Sequence, residues 1–123
     1  MKKHTIPFII LLFLLSSLTA CAEKEQMASG AKLINKDQFI FTASGEFKPF
    51  SYMNDDMTMT GFDIEVGEAI AEKLGLEPVQ KQMKFKGIVE GVKTGRADVA
   101  VASHTINEAR SKFVLFSTPY YYS

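Results

Sequence analysis

Three residues near the C-terminal end of the sequence have side chains suited to holding a small anion: Thr105, Asn107 and Arg110. They follow residues 98–102, an apolar run that is typical of a buried strand. Asn107 is a favourable N-cap, so residues 108–110 fall in a first helical turn, where free backbone N–H groups attract negative charge. Together with the guanidinium and the hydroxyl, these groups could bind one carboxylate.

Simpler interpretations exist for two residues of this segment. Arg110 could form an ion pair with Glu108 or lie solvated at the surface, but its position after Thr105 and a strand-to-helix turn favours the anion site. His104 is better explained as a packed or exposed histidine at the end of a strand than as a pH switch.

Short apolar runs alternate with helical patterns from Asp37 onward, which predicts an α/β fold with a mostly parallel sheet flanked by helices. The predicted strands are residues 38–43, 77–83, 98–102 and 113–116. The predicted helices are residues 62–74, 86–94 and 107–112, with Gly75 and Gly95 closing the first two.

The first of these helices has an apolar face, and the segment before it is rich in turn residues. The face consists of Phe62, Val66, Ala69, Ile70 and Leu74. Residues 44–60 include Gly45, Pro49 and Asn54 and are predicted to form a long loop without regular structure.

Ligands of open α/β sheets bind beyond the C-terminal ends of the strands, where the loops after Ala43, Met83 and Ala102 should meet. Aromatic side chains bury about 150–250 Å² each and can enclose the apolar part of a ligand. Phe50 and Tyr52 are expected to attach the first loop to the core and at most to support the site. The predicted ligand-binding residues are Ser44, Phe47, Phe85, Ser103, Thr105 and Arg110.

The chain has 123 residues, with 14 basic and 14 acidic side chains, which is enough for one domain of ordinary size. No basic patch with interleaved aromatic residues occurs, so nucleic acid is not expected as a partner. The cleft loops also lack paired carboxylates, a Ser/His/Asp set and metal-ligand spacing. The acidic residues Asp63 and Glu65 lie on a predicted helix instead. No catalytic residue, metal or cofactor is therefore predicted.

Residues 1–20 have the pattern of a secretory signal peptide, with Lys2 and Lys3 before the apolar run 8–15. Residues 18–21, Leu-Thr-Ala-Cys, resemble the bacterial lipobox, which implies that Cys21 is lipidated and becomes the mature N-terminus. Cleavage nearby or an uncleaved anchor are the alternatives. A lipid anchor would hold the protein at the cell membrane, on its extracytoplasmic face.

The remaining chain divides into two parts. Residues 21–36 are small and polar and are predicted to form a flexible tether. Residues 37–123 are predicted to form the folded module.

Residues 61–74, which include the predicted helix 62–74, resemble the signature of family 3 bacterial solute-binding proteins; they read Gly-Phe-Asp-Ile-Glu-Val-Gly-Glu-Ala-Ile-Ala-Glu-Lys-Leu. These are the extracytoplasmic receptors of polar amino-acid ABC importers. Residues 47–52, 97–99 and 116–121, and the pair Thr105 and Arg110, also resemble family motifs in order and spacing. The resemblance implies a lobe of the type II periplasmic-binding-protein fold, with an ABC permease and an ATPase as partners.

The resemblance also implies roles for the cleft residues. Arg110 would make a paired contact with the α-carboxylate of an amino acid, Thr105 would add hydroxyl and N–H contacts, and the carbonyl of Ser103 would accept from the α-ammonium. Phe47 and Phe85 would be the aromatic walls. Ser44 stands where relatives that bind basic amino acids have an acidic residue, which favours an uncharged or sulfur-containing ligand.

Family members have two lobes, and this sequence stops at Ser123, where the chain would cross to the second. We therefore expect one lobe, and weak or no binding of amino acids by it alone, because hinge closure needs both lobes. Two other function classes remain open. One is an enzyme of the same fold, similar to cyclohexadienyl dehydratase or to the module associated with lytic transglycosylases, and the other is the sensory domain of a receptor kinase.

Overall fold

The computed structural model describes residues 32–122. Its strands are β1 (Gln38–Ala43), β2 (Glu46–Phe47), β3 (Ser51–Met53), β4 (Met59–Thr60), β5 (Glu77–Gln82) and β6 (Val99–Ala100). Its helices are α1 (Phe62–Leu74), α2 (Ile88–Lys93) and α3 (Glu108–Ser111), and a 3₁₀ turn at Phe85–Gly87 precedes α2. The predicted signal peptide, Cys21 and residues 22–31 lie outside the described residues.

The central sheet is parallel, with the strand order β5–β1–β6. Strand β1 pairs with β5 from Gln38 opposite Glu77 to Ala43 opposite Gln82. Its residues 39–43 are all buried, as expected for a middle strand covered on both faces. The predicted α/β class and the parallel sheet are therefore confirmed.

The third predicted strand, residues 98–102, is shorter in the structure, where β6 comprises two residues. Hydrogen bonds nevertheless continue beyond it, because the Asp98 N–H donates to the Ile40 carbonyl and the Val101 N–H to the Thr42 carbonyl. The chain is thus held against β1 up to the start of the loop that follows.

Helix α1 has the predicted bounds, and Gly75 closes it in the left-handed conformation with φ of 67°. The predicted apolar face is not the buried face of the helix, although Val66 packs against the core. Phe62, Ile70 and Leu74 are each about two-fifths exposed, whereas the buried residues of the helix are Asp63, Ile64, Gly67 and Ala71.

The reason is the close approach of α1 to the sheet. A Cβ atom at Gly67 would lie 2.6 Å from the ring of Phe41, a fully buried residue of β1. Gly67 therefore faces the large side chain of Phe41, and the helix reaches the core through Ile64 and Ala71.

The prediction that residues 44–60 form an irregular loop is also wrong. Strands β2, β3 and β4 form an antiparallel sheet within it, with Tyr52 opposite both Glu46 and Thr60. Strands of two or three residues are too short to give an alternating pattern, and turn residues dominate the segment. This small sheet presents Glu46 and Phe47 at the end of β1.

The remaining elements agree with the sequence except at the C-terminal end. The predicted strand at residues 113–116 is absent: the Phe113 N–H donates to the Arg110 carbonyl, and Leu115 is almost fully exposed. Without a strand partner, an apolar run alone does not form a sheet. Within residues 32–122, no helix has the length and apolar character needed to cross a membrane.

The folded unit includes residues from the predicted tether. The N–H of Ile34 donates to Oδ1 of Asp98 over 2.8 Å, and the second carboxylate oxygen of Asp98 accepts from the Ile40 N–H, also at 2.8 Å. One carboxylate therefore joins the segment before β1 to β1 itself.

Candidate functional site

The loops that follow β1, β5 and β6 meet at one edge of the central sheet. They enclose an open pocket of about 270 Å³ lined by Ser44, Glu46, Phe47, Phe85, Ala102 and Ser103. Four of the six predicted ligand-binding residues therefore lie around one pocket. Of the other two, Thr105 lines an adjacent pocket of about 300 Å³, between residues 103–106 and 116–122.

Ser44 is buried, and its side chain is already engaged by its own loop. Its Oγ lies 3.3 Å from Oγ of Ser51 and accepts from the Glu46 N–H over 3.2 Å. Its carbonyl accepts from Nε2 of Gln82. Ser44 thus fixes the turn between β1 and β2, beside the pocket.

Phe47 forms one wall of the pocket and is supported from behind. Its ring stacks on that of Phe50, with the centroids 5.1 Å apart and the planes at 20°. The Phe50 ring also packs edge-on against Tyr121, at 5.0 Å. Half of the Phe47 surface stays exposed, so this wall is available to a ligand.

Phe50 and Tyr52 do not line the pocket, in keeping with the supporting position expected for them. Tyr52 lies under the ammonium of Lys48, which is 4.9 Å from the centroid of its ring. This contact stabilises the small antiparallel sheet rather than the pocket.

Phe85 forms the opposite wall, and the side chains of the third loop pack against it. The ring of His104 lies 4.3 Å from its centroid, and the guanidinium carbon of Arg110 lies 5.7 Å from it. Phe85 remains two-fifths exposed. The second and third loops are therefore joined through this aromatic ring.

His104 is a packed histidine. Its Nδ1 lies 3.1 Å from the Ala102 carbonyl, a contact in which the ring nitrogen is the donor. Burial lowers the pKa of His104 below its ordinary value, and the positive charge of Arg110 acts in the same direction. The neutral imidazole is therefore the form that the fold favours.

Arg110 lies in α3, and Asn107 caps this helix as predicted, because its Oδ1 accepts from the Arg110 N–H over 2.9 Å. The Nη1 of Arg110 donates to the Thr105 carbonyl over 2.8 Å. Glu108 pairs with Lys112 instead of Arg110. Among residues 32–122, no carboxylate is paired with Arg110, so its other guanidinium donors are available to an anion.

Helix α3 is too short to attract an anion to its N-terminus as the sequence predicted. Helix α3 has four residues, and its Arg110 N–H is already bonded by the cap. A single turn has a small dipole and few free N–H groups. The groups suited to an anion are therefore the guanidinium of Arg110 and the exposed side chain of Thr105.

Ser103 has an unusual conformation that the sequence did not predict. Its φ is 48°, in the left-handed region that non-glycine residues seldom adopt. Its Oγ donates to Oδ1 of Asp63 over 2.9 Å, and its N–H donates to the Tyr120 hydroxyl over 3.2 Å. The Tyr120 hydroxyl in turn donates to the same Asp63 oxygen over 2.8 Å.

Sequence reasoning missed Asp63 and Tyr120 as neighbours of the site. Asp63 is fully buried, and its Oδ2 has no hydrogen-bond partner among residues 32–122. Burial raises the pKa of Tyr120 to about 12. A signal existed: an aspartate just after the start of an otherwise apolar helix face needs a polar partner when it is buried.

Glu46 was missed as well. Glu46 is exposed in β2 and lines the pocket beside Ser44, so one acidic residue belongs to the pocket lining. Residues 44–60 were predicted to form one irregular loop, and a loop without regular structure gives no basis for orienting Glu46. Within the described chain, no cluster of His, Cys, Asp and Glu side chains could hold a metal ion.

The chain matches the model of bacterial extracellular solute-binding proteins, family 3, over residues 39–123. It is 34% identical over 89 residues to the L-cystine-binding protein TcyJ of Escherichia coli, covering 72% of this chain and 34% of TcyJ. It is 33% identical over 105 residues to the arginine-binding extracellular protein ArtP of Bacillus subtilis, covering 85% of this chain and 39% of ArtP.

One relative is an enzyme. The cyclohexadienyl dehydratase of Pseudomonas aeruginosa is 25% identical over 118 residues, which cover 96% of this chain and 43% of the dehydratase. The chain thus spans less than half the length of each of these three relatives.

Two solved structures are similar to this one. The arginine-bound form of domain 1 from TmArgBP has a TM-score of 0.67 and 33% identity, and the match covers 69% of this chain and 68% of that domain. An ancestral arginine-binding protein bound to glutamine has a TM-score of 0.68 and 37% identity. This match covers 71% of this chain and 39% of that chain.

The fold is therefore that of a type II periplasmic-binding protein, of which the described residues form part of one lobe. The chain belongs to family 3 of the bacterial extracellular solute-binding proteins.

Proposed function

We propose that this chain is the first lobe of an extracytoplasmic receptor that captures a free amino acid for an ABC importer. One observation carries the proposal: Phe47, Phe85 and Ser103 converge on one pocket, and the guanidinium of Arg110, which no carboxylate of the described residues neutralises, lies against Phe85. The relatives that bind cystine and arginine support the same ligand class.

The groups of the site match the two charged ends of an amino acid. Within residues 32–122, one guanidinium nitrogen of Arg110 is engaged, by the Thr105 carbonyl. The other donors can bind the α-carboxylate in a paired contact, to which the Thr105 hydroxyl adds a third hydrogen bond. The carbonyl of Ser103 is the acceptor assigned to the α-ammonium. The side chain would then lie between Phe47 and Phe85.

One lobe can suffice for this binding. Domain 1 of TmArgBP was solved in an arginine-bound form and matches most of this chain. This supports measurable binding by the present chain, contrary to the expectation of weak or no binding that the sequence suggested. Closure by a second lobe would add affinity by excluding water from the pocket.

The pocket suits amino acids with uncharged or cationic side chains. Ser44 is occupied by its own loop, so it is a poor partner for a charged side chain. Glu46, an acidic residue of the pocket lining, supplies the missing negative charge instead. This weakens the earlier preference for an uncharged or sulfur-containing ligand and adds basic amino acids to the candidates.

A dehydratase is the second candidate, because one relative is an enzyme of that kind. Binding without chemistry is favoured here because the most strongly buried carboxylate near the site, Asp63, is engaged by Ser103 and Tyr120 rather than facing a ligand. Turnover of a prephenate-like acid by the purified protein would favour the enzyme instead.

The location and partners of the receptor form part of the proposal. Lipidation of Cys21 would hold the folded unit on the extracytoplasmic face of the cell membrane, close to an ABC permease and its ATPase. A receptor anchored there can deliver its ligand without diffusing away.

The proposal is tested by thermal unfolding of the purified chain in the presence of each of the twenty amino acids and of cystine. Saturable stabilisation by at least one of them is expected, since a ligand that binds the folded state alone raises the melting temperature. Unchanged melting temperatures throughout, at millimolar ligand, would contradict it.

A further inference from the structure

We propose that Asp63 and Tyr120 are positioning residues, which hold Ser103 in its left-handed conformation and thereby shape the loop of residues 103–105 that contacts the ligand. The inference rests on the proposed function, because it assigns these residues a role at that site. Neither residue lines the 270 Å³ pocket, whereas Tyr120 lines the adjacent pocket of about 300 Å³. Both are bonded to Ser103, which lines the two pockets, and they act on the first pocket through it.

The backbone of Ser103 adopts a conformation that needs support from its surroundings. A non-glycine residue at φ of 48° is strained, because its Cβ approaches the following carbonyl oxygen. Such a conformation persists where the surroundings over-determine it. Here both polar groups of Ser103 that can donate, its N–H and its hydroxyl, are bound by partners distant in the sequence.

The three residues form a closed triangle of hydrogen bonds. Ser103 donates twice, to Asp63 and to Tyr120, and Tyr120 donates to Asp63, with all three distances between 2.8 and 3.2 Å. Asp63 is fully buried in the first turn of α1, so the acceptor at the centre of the triangle is fixed by the helix. Bonds to a buried carboxylate are among the stronger ones in proteins.

The triangle also determines which way Ser103 faces. Since its N–H and its hydroxyl hydrogen are both bonded, Ser103 has no donor left for the pocket and meets a ligand through its acceptors. The carbonyl oxygen is the acceptor assigned to an α-ammonium. Tyr120 is held in place by its ring, which lies 6.0 Å from that of Phe62.

The test compares Tyr120→Phe with Tyr121→Phe in the full chain. The first removes one hydroxyl of the triangle and keeps the ring. The second is the matched control, because Tyr121 packs through its ring against Phe50 and Phe62, and its hydroxyl makes no hydrogen bond within the described residues. Both variants keep the aromatic contacts, and we expect both to fold.

The first readout is hydrogen exchange of the Ser103 amide, measured by NMR without ligand. Tyr120→Phe should speed this exchange about five- to ten-fold, the effect of losing one hydrogen bond, whereas Tyr121→Phe should not change it. Equal exchange in the wild type and Tyr120→Phe, or equal acceleration in both variants, would overturn the inference.

The second readout is affinity for the amino acid that most stabilises the wild type. Tyr120→Phe should weaken binding about ten-fold in the wild-type background, and distinctly less in a Ser103→Gly background, because glycine reaches positive φ without support. An equal loss in both backgrounds would show that Tyr120 does not act through Ser103. If no amino acid binds the wild type, the proposed function fails, and hydrogen exchange alone decides the positioning role.

Discussion

The guanidinium of Arg110 donates to the carbonyl of Thr105 over 2.8 Å, five residues earlier in the chain. This hydrogen bond folds the loop back on itself and places the charged group beside the aromatic ring of Phe85. A long, flexible side chain is thereby held near the pocket before any ligand arrives. Such preorganisation lowers the entropy cost of binding an anion.

Helix–sheet packing gives a prediction at Gly67. Gly67→Ala should lower the free energy of unfolding by about 1–2 kcal/mol, because the new methyl group would meet the fully buried ring of Phe41 at 2.6 Å, and this outweighs the better helix propensity of alanine. Urea unfolding measures the change.

Gly87 provides the matched control for that substitution. A Cβ atom there meets no described residue within 4 Å, and the φ of Gly87 is −98°, so Gly87→Ala should change stability by less than about 0.5 kcal/mol. Equal effects at the two glycines would show that α1 does not pack on β1 as closely as described.

The packed His104 predicts a dependence of stability on pH. Its pKa is lowered in the folded state from an ordinary value of 6.5, so the unfolded chain takes up the proton first as the pH falls. Stability should therefore decrease from about pH 6.5 towards pH 5. Melting temperatures across this range should show a weaker slope for His104→Gln than for the wild type, and parallel slopes would refute the packing of His104.

Because Glu46 lines the pocket, we expect the site to prefer amino acids with a positively charged side chain. Glu46→Gln should weaken arginine binding about two- to five-fold, as expected for an exposed ion pair, and leave glutamine binding unchanged. Glu65→Gln, on the exposed side of α1, is the control. Competition experiments measure the ratio of the affinities for arginine and glutamine. An unchanged ratio in Glu46→Gln would show that Glu46 does not contribute to ligand binding.

The proposed anchor depends on one residue. Labelled palmitate should be incorporated into the wild-type protein in bacterial cells, and Cys21→Ser should abolish the label and release the protein from the membrane fraction. Ser29→Ala, in the predicted tether, should change neither. Membrane retention of unlabelled Cys21→Ser would instead indicate an uncleaved apolar anchor.

Local sequence patterns predicted the main elements well. The bounds of β1 and α1 agree with the sequence, because a continuous apolar run and a helical repeat closed by Gly75 are both local signals. Strand β5 ends one residue before the predicted position. The cap at Asn107 was predicted for the same reason, since it depends on contacts within one turn.

Features that depend on distant partners could not be predicted in this way. The buried side of α1 is decided by the ring of Phe41, which lies on another element. The partner of Asp63 is Tyr120, 57 residues away. The candidate site also has features of both kinds. Its loops were predicted from the order of the elements, whereas the conformation of Ser103 and the position of Glu46 depend on distant contacts and required the three-dimensional structure.

The central claim is that Arg110 holds the carboxylate of an amino acid. The chain has one other arginine, Arg96, which is exposed and bonds through its backbone to Gly91 and Lys81. Titration calorimetry with the amino acid that most stabilises the wild type should therefore compare Arg110→Ala with Arg96→Ala. We predict at least about a thirty-fold loss of affinity for the first and less than about a two-fold change for the second. Wild-type affinity in Arg110→Ala would contradict the account.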